Sequence, residues 1–425
     1  MPRRTPLAPT EVAIIGAGIV GAASAYYLAK QGVAVTLLEK GSIAGEQSSR
    51  NWGFVRQQGR DPAELPMMML CNGIWQNLHQ ELAIDVGWRQ GGNLRIAVDD
   101  ERMAAFESWQ RLATQYGLDT RILSTTELRD VVPSLTLTAC GGMYTPSDGQ
   151  ADPTRVTTAF CMAARRLGAR IYEHCAVTEV DAGGGAVRGV ITERGTIAAG
   201  TVVCAAGVWS SRLLRQLGLS LPTVWVRNSV ARTEPLAALT ASAVWMPGVA
   251  FRQAADGRVI IAPGAIAHHD LMLDSMRYAP KFWPAFLQEK NSLKLRVGRP
   301  LLDDIRGQYR RFTTHRTLDP VPDSVALRAA VACFTQRVAA DQTVRVSRSW
   351  AGYIDMTPDL LPVLDVPTAP SGLVVATGFS GHGFGLGPIA GRVVAKMATG
   401  RDVDTDLKPF QLERFSKRAT PQPVI

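Results

Sequence analysis

The chain opens on apolar runs of two kinds. Residues 11–15 form a short β-branched run of the sort that fills a buried parallel strand. Residues 19–31 carry helix formers and stop at Gly32, and 33–38 repeat the strand pattern. A βαβ unit is predicted. Amphipathic spacing then predicts helices over 64–82, 101–116 and 125–131. After a loop from Tyr144, Asp152 as amino cap and Pro153 in the first turn predict a helix reaching Leu167. Short strands at 169–172, 176–180, 186–192 and 195–198 surround a glycine hairpin at 183–185, followed by a buried strand over 201–207 and a helix over 208–217. Strand-like runs continue at 225–232, 249–252 and 258–263, with a helical piece near 281–297. A last buried strand, 373–377, leads through a glycine-rich loop to a helix from Pro388 to Thr399, and 408–425 is expected as a polar tail.

At 425 residues the chain has room for two or three domains and a large core. The 46 Lys and Arg outnumber 37 Asp and Glu, but they are dispersed, which disfavours a nucleic-acid partner. Their densest excess is Arg296, Arg299, Arg306, Arg310, Arg311 and Arg316, offset by Asp303 and Asp304. That is either a solvated face or a surface for an acidic substrate, a subunit or membrane headgroups. The six Cys are scattered, without Cys-x-x-Cys or a His cluster, so no zinc site is expected and reduced thiols point to a cytoplasmic protein. Arg3 and Arg4 before an apolar stretch imitate a secretory signal, but the glycines inside that stretch belong to the βαβ unit. No other apolar run approaches the ~18 residues of a membrane span.

Chemistry enters with Gly16, Gly18 and Gly21, spaced G-x-G-x-x-G between the first strand and its helix, and Glu39 at the end of the second strand. The first glycine permits the tight turn, the second lets backbone approach a pyrophosphate, and the third lets helix pack on sheet. The helix amino end attracts phosphate. Glu39 accepts hydrogen bonds from a ribose 2′-hydroxyl. The spacing points to a dinucleotide and leaves NAD and FAD open; a glycine turn that merely packs helix on strand is the plainer alternative.

Two further pieces join this unit: the strand end Ala205-Ala206-Gly207, and Tyr353-x-x-x-Thr357-Pro358-Asp359 followed by Gly378-Phe-Ser-Gly-His-Gly-Phe384. Together they resemble, over nearly the whole chain, the FAD-dependent family of D-amino-acid oxidase, glycine oxidase, sarcosine oxidase and dimethylglycine dehydrogenase. The resemblance implies an α/β fold with a discontinuous, glutathione-reductase-type Rossmann-like FAD domain at 10–90, 145–221 and 348–407. An α+β substrate domain with an antiparallel sheet is implied at 91–144 and 222–347. FAD is then expected on Gly16, Gly18, Gly21, Glu39, Lys40, Val177, Gly207 and Trp209, and on Gly381, His382, Gly383, Phe384 and Gly385. The family's flavin loop is similar to Ser48-Ser49-Arg50-Asn51-Trp52-Gly53-Phe54-Val55-Arg56, with Trp52 where the family has His and Arg56 beside the isoalloxazine. The continuation Gln57, Gln58, Arg60, Asp61 is more similar to bacterial hydroxyproline and opine dehydrogenases than to the oxidases.

The chemistry this resemblance implies is oxidation of the CH–N bond of a small amino acid or secondary-amine amino acid to an imine, by hydride transfer to flavin N5. No Cys stands in 350–355, where sarcosine oxidases attach flavin, so FAD is expected to be noncovalent. No Lys occurs between Lys40 and Lys281 to stabilise incipient superoxide, which favours a dehydrogenase whose acceptor stays open. Gly385 replaces the family's carboxylate-binding Lys, so the substrate anchor must differ. Arg56, His268, His269 and Tyr353 are candidates for substrate binding, and Arg56 and His382 for catalysis; a surface Arg, solvated or structural His and a packed Tyr are the plainer alternatives. The last helix, beginning near Gly387 and Pro388, is expected to aim its dipole at the flavin pyrimidine. Trp209, Trp225, Trp245, Trp283 and Trp350 are read as core, and Trp52 as a flavin neighbour. Rival readings are a 2-hydroxy acid dehydrogenase, which the same fold supports, or the flavin subunit of a heteromeric opine- or sarcosine-oxidase-like or tRNA-modifying complex. Homo- or hetero-oligomers are both open.

Overall fold

The structure, a computed structural model, describes residues 7–264, 267–289 and 293–416. The predicted βαβ unit is the centre of a parallel sheet. Its strands run in the order Arg170–Tyr172, Val35–Leu38, Thr10–Ile15, Gly195–Cys204 and Leu373–Thr377, with Val363–Asp365 antiparallel at one edge. Helices Ile19–Lys30, Leu65–Leu82, Pro153–Arg166 and Gly383–Ala398 share the core on one face. The hairpin Val177–Gly183/Ala186–Thr192 and helix Ser210–Gln216 share the core on the other, with the rings of Trp209, Trp225, Tyr309 and Phe312. Burial on both faces is why these strands read as nearly unbroken apolar runs.

The last helix begins at Gly383, with His382 at its cap position, so Pro388 lies inside it and not in its first turn. The glycines that looked like loop are helix-packing residues. A side chain at Gly387 would come within 2.6 Å of Ile19, and one at Gly391 would overlap the backbone of Ala23 and Ser24. Close approach to Ile19–Lys30 therefore holds a poor helix-forming sequence in helix.

The second sheet is mixed. Its central strand Val224–Pro235 pairs along one side with Val346–Met356 and on the other with Arg258–Ala262 and Ala267–Asp270. Most pairs are antiparallel, as expected, but Ala243–Met246 on Asn93–Ala97 and Ala267–Asp270 on Leu293–Arg296 are parallel. Val346–Met356 pairs along its length with the central strand of this sheet. The helical piece expected at 281–297 is helix Leu273–Glu289 followed by strand Leu293–Arg296. An unpredicted helix, Ser324–Val338, is capped by the Asp323 carboxylate and packs Phe334 on Phe251, ring centroids 5.0 Å apart. The expected tail is ordered at its start: 3-10 turns Lys408–Phe410 and Leu412–Phe415 bury Phe410 and Phe415, while 417–425 lies outside the described residues. No described helix is long and apolar enough to cross a membrane.

Candidate active site

A cavity of about 1320 Å³ runs from the glycine turn of the parallel sheet to the mixed sheet. At the nucleotide end, a side chain on Gly16 would meet the Ala205 carbonyl at 2.5 Å, and one on Gly21 would overlap the Gly16 carbonyl. The turn and the helix–sheet contact thus need both glycines, while Gly18 lines the cavity at the helix amino end. Ser48 Oγ accepts from Ile19 N–H there at 2.8 Å. Glu39 is placed by two backbone donors, Ala17 N–H at 2.9 Å and Gly41 N–H at 2.7 Å, and burial raises its pKa. Val177, Gly207 and Trp209 line the same end. Lys40 lines it too, its ammonium held by Glu46 at 2.6 Å and lying 4.2 Å from the Trp209 ring centroid.

The loop from Ser48 to Arg56 is pinned from two directions. Asn51 Oδ1 accepts from Gly53 N–H at 2.8 Å, and Gly53 has φ +80 in a space closed by the Ala151 carbonyl and the Arg252 guanidinium. Arg252, on strand Val249–Gln253, donates to the Trp52 carbonyl and to Gln150 Oε1. Trp52 stands edge-on to Trp245 at 5.2 Å. Across the cavity, Asp355 accepts from Gln47 Nε2 at 2.7 Å and Gly378 N–H at 2.8 Å, tying this loop to the strand before the last helix.

At the far end Arg56, Arg60 and Arg95 line one region of the cavity. Burial, reinforced by Arg60 and Arg95, lowers Arg56 to about 9, which leaves it cationic at neutral pH. Among the described residues Arg60 pairs with the buried Glu64 at 3.4 Å, whereas no carboxylate lies within ion-pair distance of Arg56. Arg95 lies 5.1 Å from the Trp245 ring centroid. His382 Nδ1 sits 3.0 Å from Glu64 Oε2 and 3.2 Å from Oε1. Burial alone would raise the Glu64 carboxyl; the His382 ring and Arg60 guanidinium pull it down instead, to about 2. Burial and Arg60 hold His382 down to about 4, so a neutral ring donates its Nδ1–H to a Glu64 carboxylate and keeps Nε2 as an acceptor.

The structure brings together Gly16, Gly18, Glu39, Lys40, Ser48, Asn51, Trp52, Gly53, Arg56, Val177, Gly207, Trp209, His269, Tyr353, Gly381, His382, Gly383 and Phe384 as cavity lining. Five expectations change. Gly21 lies outside the lining, packed against the Gly16 carbonyl. Ser49 lies outside the lining, its hydroxyl bonded to the Glu46 carbonyl at 3.3 Å. Gly385 faces helix Leu65–Leu82, where its carbonyl accepts from Trp75 Nε1 at 2.7 Å, because it stands in the first turn of the last helix. His268 pairs with Asp323 at 3.1 Å while its neighbour His269 lines the cavity, as alternation along a strand requires. Tyr353 sends its hydroxyl to Asp270 at 3.0 Å and packs its ring on Trp225, so its polar end serves the Arg227–Asp270 ion pair. Glu64, Arg95, Arg252 and Asp355 were not singled out from the sequence; no spacing links them to the motifs they support.

A family profile described as FAD dependent oxidoreductase matches residues 11–397. The chain is 27% identical to mitochondrial sarcosine dehydrogenase of Mus musculus over 96% of its own length and 42% of that protein, so it spans less than half of that relative. It is 29% identical to sarcosine oxidase subunit beta of an Arthrobacter species, covering 95% of this chain and 91% of that one. Among solved structures, L-amino acid deaminase from Proteus myxofaciens in complex with anthranilate superposes with a TM-score of 0.92 at 28% identity, over 98% of this chain and 96% of that one.

Proposed function

The chain belongs to the FAD-dependent oxidoreductase family, and from that premise we propose that it oxidises the CH–N bond of a small amino acid or N-substituted amino acid to an imine, as a dehydrogenase. The nucleotide end fits FAD: Gly16 and Gly18 would clear the backbone for a pyrophosphate at the Ile19–Lys30 amino end beside Ser48, and Glu39 would accept from the ribose. Asn51, Trp52 and Gly53 would hold the flavin side. Bound FAD supplies the two-electron acceptor.

The observation that carries the reading is Arg56, a buried guanidinium facing the cavity without an ionic partner among the described residues. Such a cation fits a substrate carboxylate, which a planar fork grips through two hydrogen bonds. His382 is the hydrogen-bond acceptor for the substrate nitrogen in this reading. An amino acid arrives as an ammonium ion, and the neutral ring offers Nε2 to one of its N–H groups while Glu64 steadies Nδ1. The names of the relatives, which speak of sarcosine and amino acids, support a CH–N donor. The dehydrogenase assignment rests on lysine: Lys40 is the one lysine lining the cavity among the described residues, and it is bound to Glu46.

The test is anaerobic flavin bleaching with parallel panels of amino acids, N-methyl amino acids and 2-hydroxy acids. Amines carrying a carboxylate are expected to bleach it, and Arg56→Met is expected to lower kcat/KM about 100-fold or more, mainly through KM. Bleaching by hydroxy acids alone would overturn the CH–N assignment. An unchanged KM in the variant would remove Arg56 from carboxylate binding.

A further inference from the structure

One surface is not absorbed by this chemistry. Helix Leu273–Glu289, strand Leu293–Arg296 and helix Arg299–Ile305 lie side by side: Leu271 N–H donates to Arg296 O at 2.8 Å, and Asp304 accepts from Leu273 N–H at 3.0 Å. On these elements Met276, Trp283, Leu287, Leu295, Leu302 and Ile305 each expose half or more of their surface, and Val297 beside them exposes 77%. Trp283, expected in the core, is thus a surface residue. The exposed charges described among them are cations. Arg277, Lys294, Arg296, Arg299 and Arg306 are exposed. The acids turn inward: Asp274 and Asp304 are buried against Arg212, and Asp303 is 16% exposed beside Arg299. None of Asp274, Asp303 and Asp304 is exposed.

Large apolar side chains gathered on a surface mark a contact site. The exposed charges described on this patch are cations, which complement a surface of one negative sign. Long Lys and Arg side chains beside a Trp and aliphatic residues suit a bilayer: the apolar groups enter the headgroup boundary while the cations stay with lipid phosphates. We propose that this face docks the protein on an anionic membrane surface, without spanning it. Trp283 and Leu295 line the cavity as well as this face, so docking sets that end of the cavity against the bilayer.

The experiment is flotation of the flavin-loaded full chain with phosphatidylcholine vesicles and with vesicles containing phosphatidylglycerol. The wild type is expected to float with the anionic vesicles, at least about tenfold more than with neutral ones, and to be released by high salt. Leu302→Asp combined with Ile305→Asp, neither of which lines the cavity, is expected to cut flotation about tenfold with flavin content and unfolding midpoint unchanged. Arg296→Glu with Arg306→Glu is expected to do the same. Failure of the wild type to float with anionic vesicles at moderate salt overturns the proposal, as does equal binding to both vesicle types. Self-association that the Asp variants dissolve also overturns it, by showing a second copy of the chain on this face.

Discussion

Which nitrogen of His382 is open to a ligand is decided by a carboxylate more than three hundred positions away in sequence, Glu64. With Nδ1–H committed to that fully buried acid, Nε2 keeps its lone pair, and Arg60 on the other side keeps the acid ionised. Glu64→Gln retains the shape and loses the charge. The variant is expected to lose about 1–3 kcal/mol of stability in urea unfolding, since Arg60 stays buried with a neutral neighbour. Its acid limb in a pH profile of kcat/KM is expected to move to lower pH, because the carboxylate that favoured the imidazolium is gone; a merely structural role would leave that limb in place. Stability has the same sense of pH dependence at both groups. Glu64 is depressed from 4.5 to about 2, so its contribution is full above 4.5 and fades as pH falls through that window. His382 is depressed from 6.5 to about 4 and likewise loses its contribution on acidification, between those values. The wild-type unfolding midpoint should therefore fall from about pH 6.5 downward, and that of the Gln variant less steeply at the acid end. His382 was legible from its glycine-rich motif. Glu64 was not, because at the head of an amphipathic helix it looks like any solvated acid.

Packing between two helices sets the position of these groups. Ile19–Lys30 presents phosphate donors at its amino end, Gly383–Ala398 carries His382 at its own, and the two touch where Gly387 and Gly391 leave no side chain. Gly391→Ala must push backbone against backbone, which costs about 1–3 kcal/mol and tilts the amino end that holds Gly18 and Ser48. The expected outcome is a lower urea midpoint together with weaker FAD retention on gel filtration; an unchanged midpoint would show that the helices can part without cost. This contact also explains what the sequence hid. Glycines 16, 18 and 21 are legible because their demand is local: turn, approach and packing fall within one βαβ unit. Gly383 to Gly387 read as a loop, with Pro388 as the helix start, because glycine breaks isolated helices and proline suits a first turn; only the neighbouring helix reverses that preference. Strand Val346–Met356 escaped notice for a related reason, since its exposed first half carries Arg and Ser and only its later residues are buried. Helix Ser324–Val338 had a visible cap in Asp323 but an Ala-rich body with little amphipathic contrast.

At the scale of the whole molecule, the cavity is closed by both sheets, so whatever fills it couples them. The loop proposed to meet the flavin is fastened to the mixed sheet through Arg252 and to the end of the parallel sheet through Gln47, Asp355 and Gly378. FAD bound there would link two cores and stabilise the fold by mass action, about 4 kcal/mol at a thousandfold excess over Kd. Nothing in the lining anchors it covalently through sulfur: no Cys borders the cavity, and Cys71, Cys161, Cys175 and Cys204 are buried elsewhere. The two lining histidines are each engaged through Nδ1, His382 with Glu64 and His269 with the Trp225 carbonyl at 2.8 Å. Acid precipitation of the yellow holoprotein is therefore expected to leave all of the FAD in the supernatant, read by its absorbance. Stripped protein should unfold at a lower temperature and recover as FAD is added back. Flavin retained in the pellet would overturn noncovalent binding and direct attention to a histidine link. Full release without any thermal shift would mean that the sheets hold each other without the cofactor.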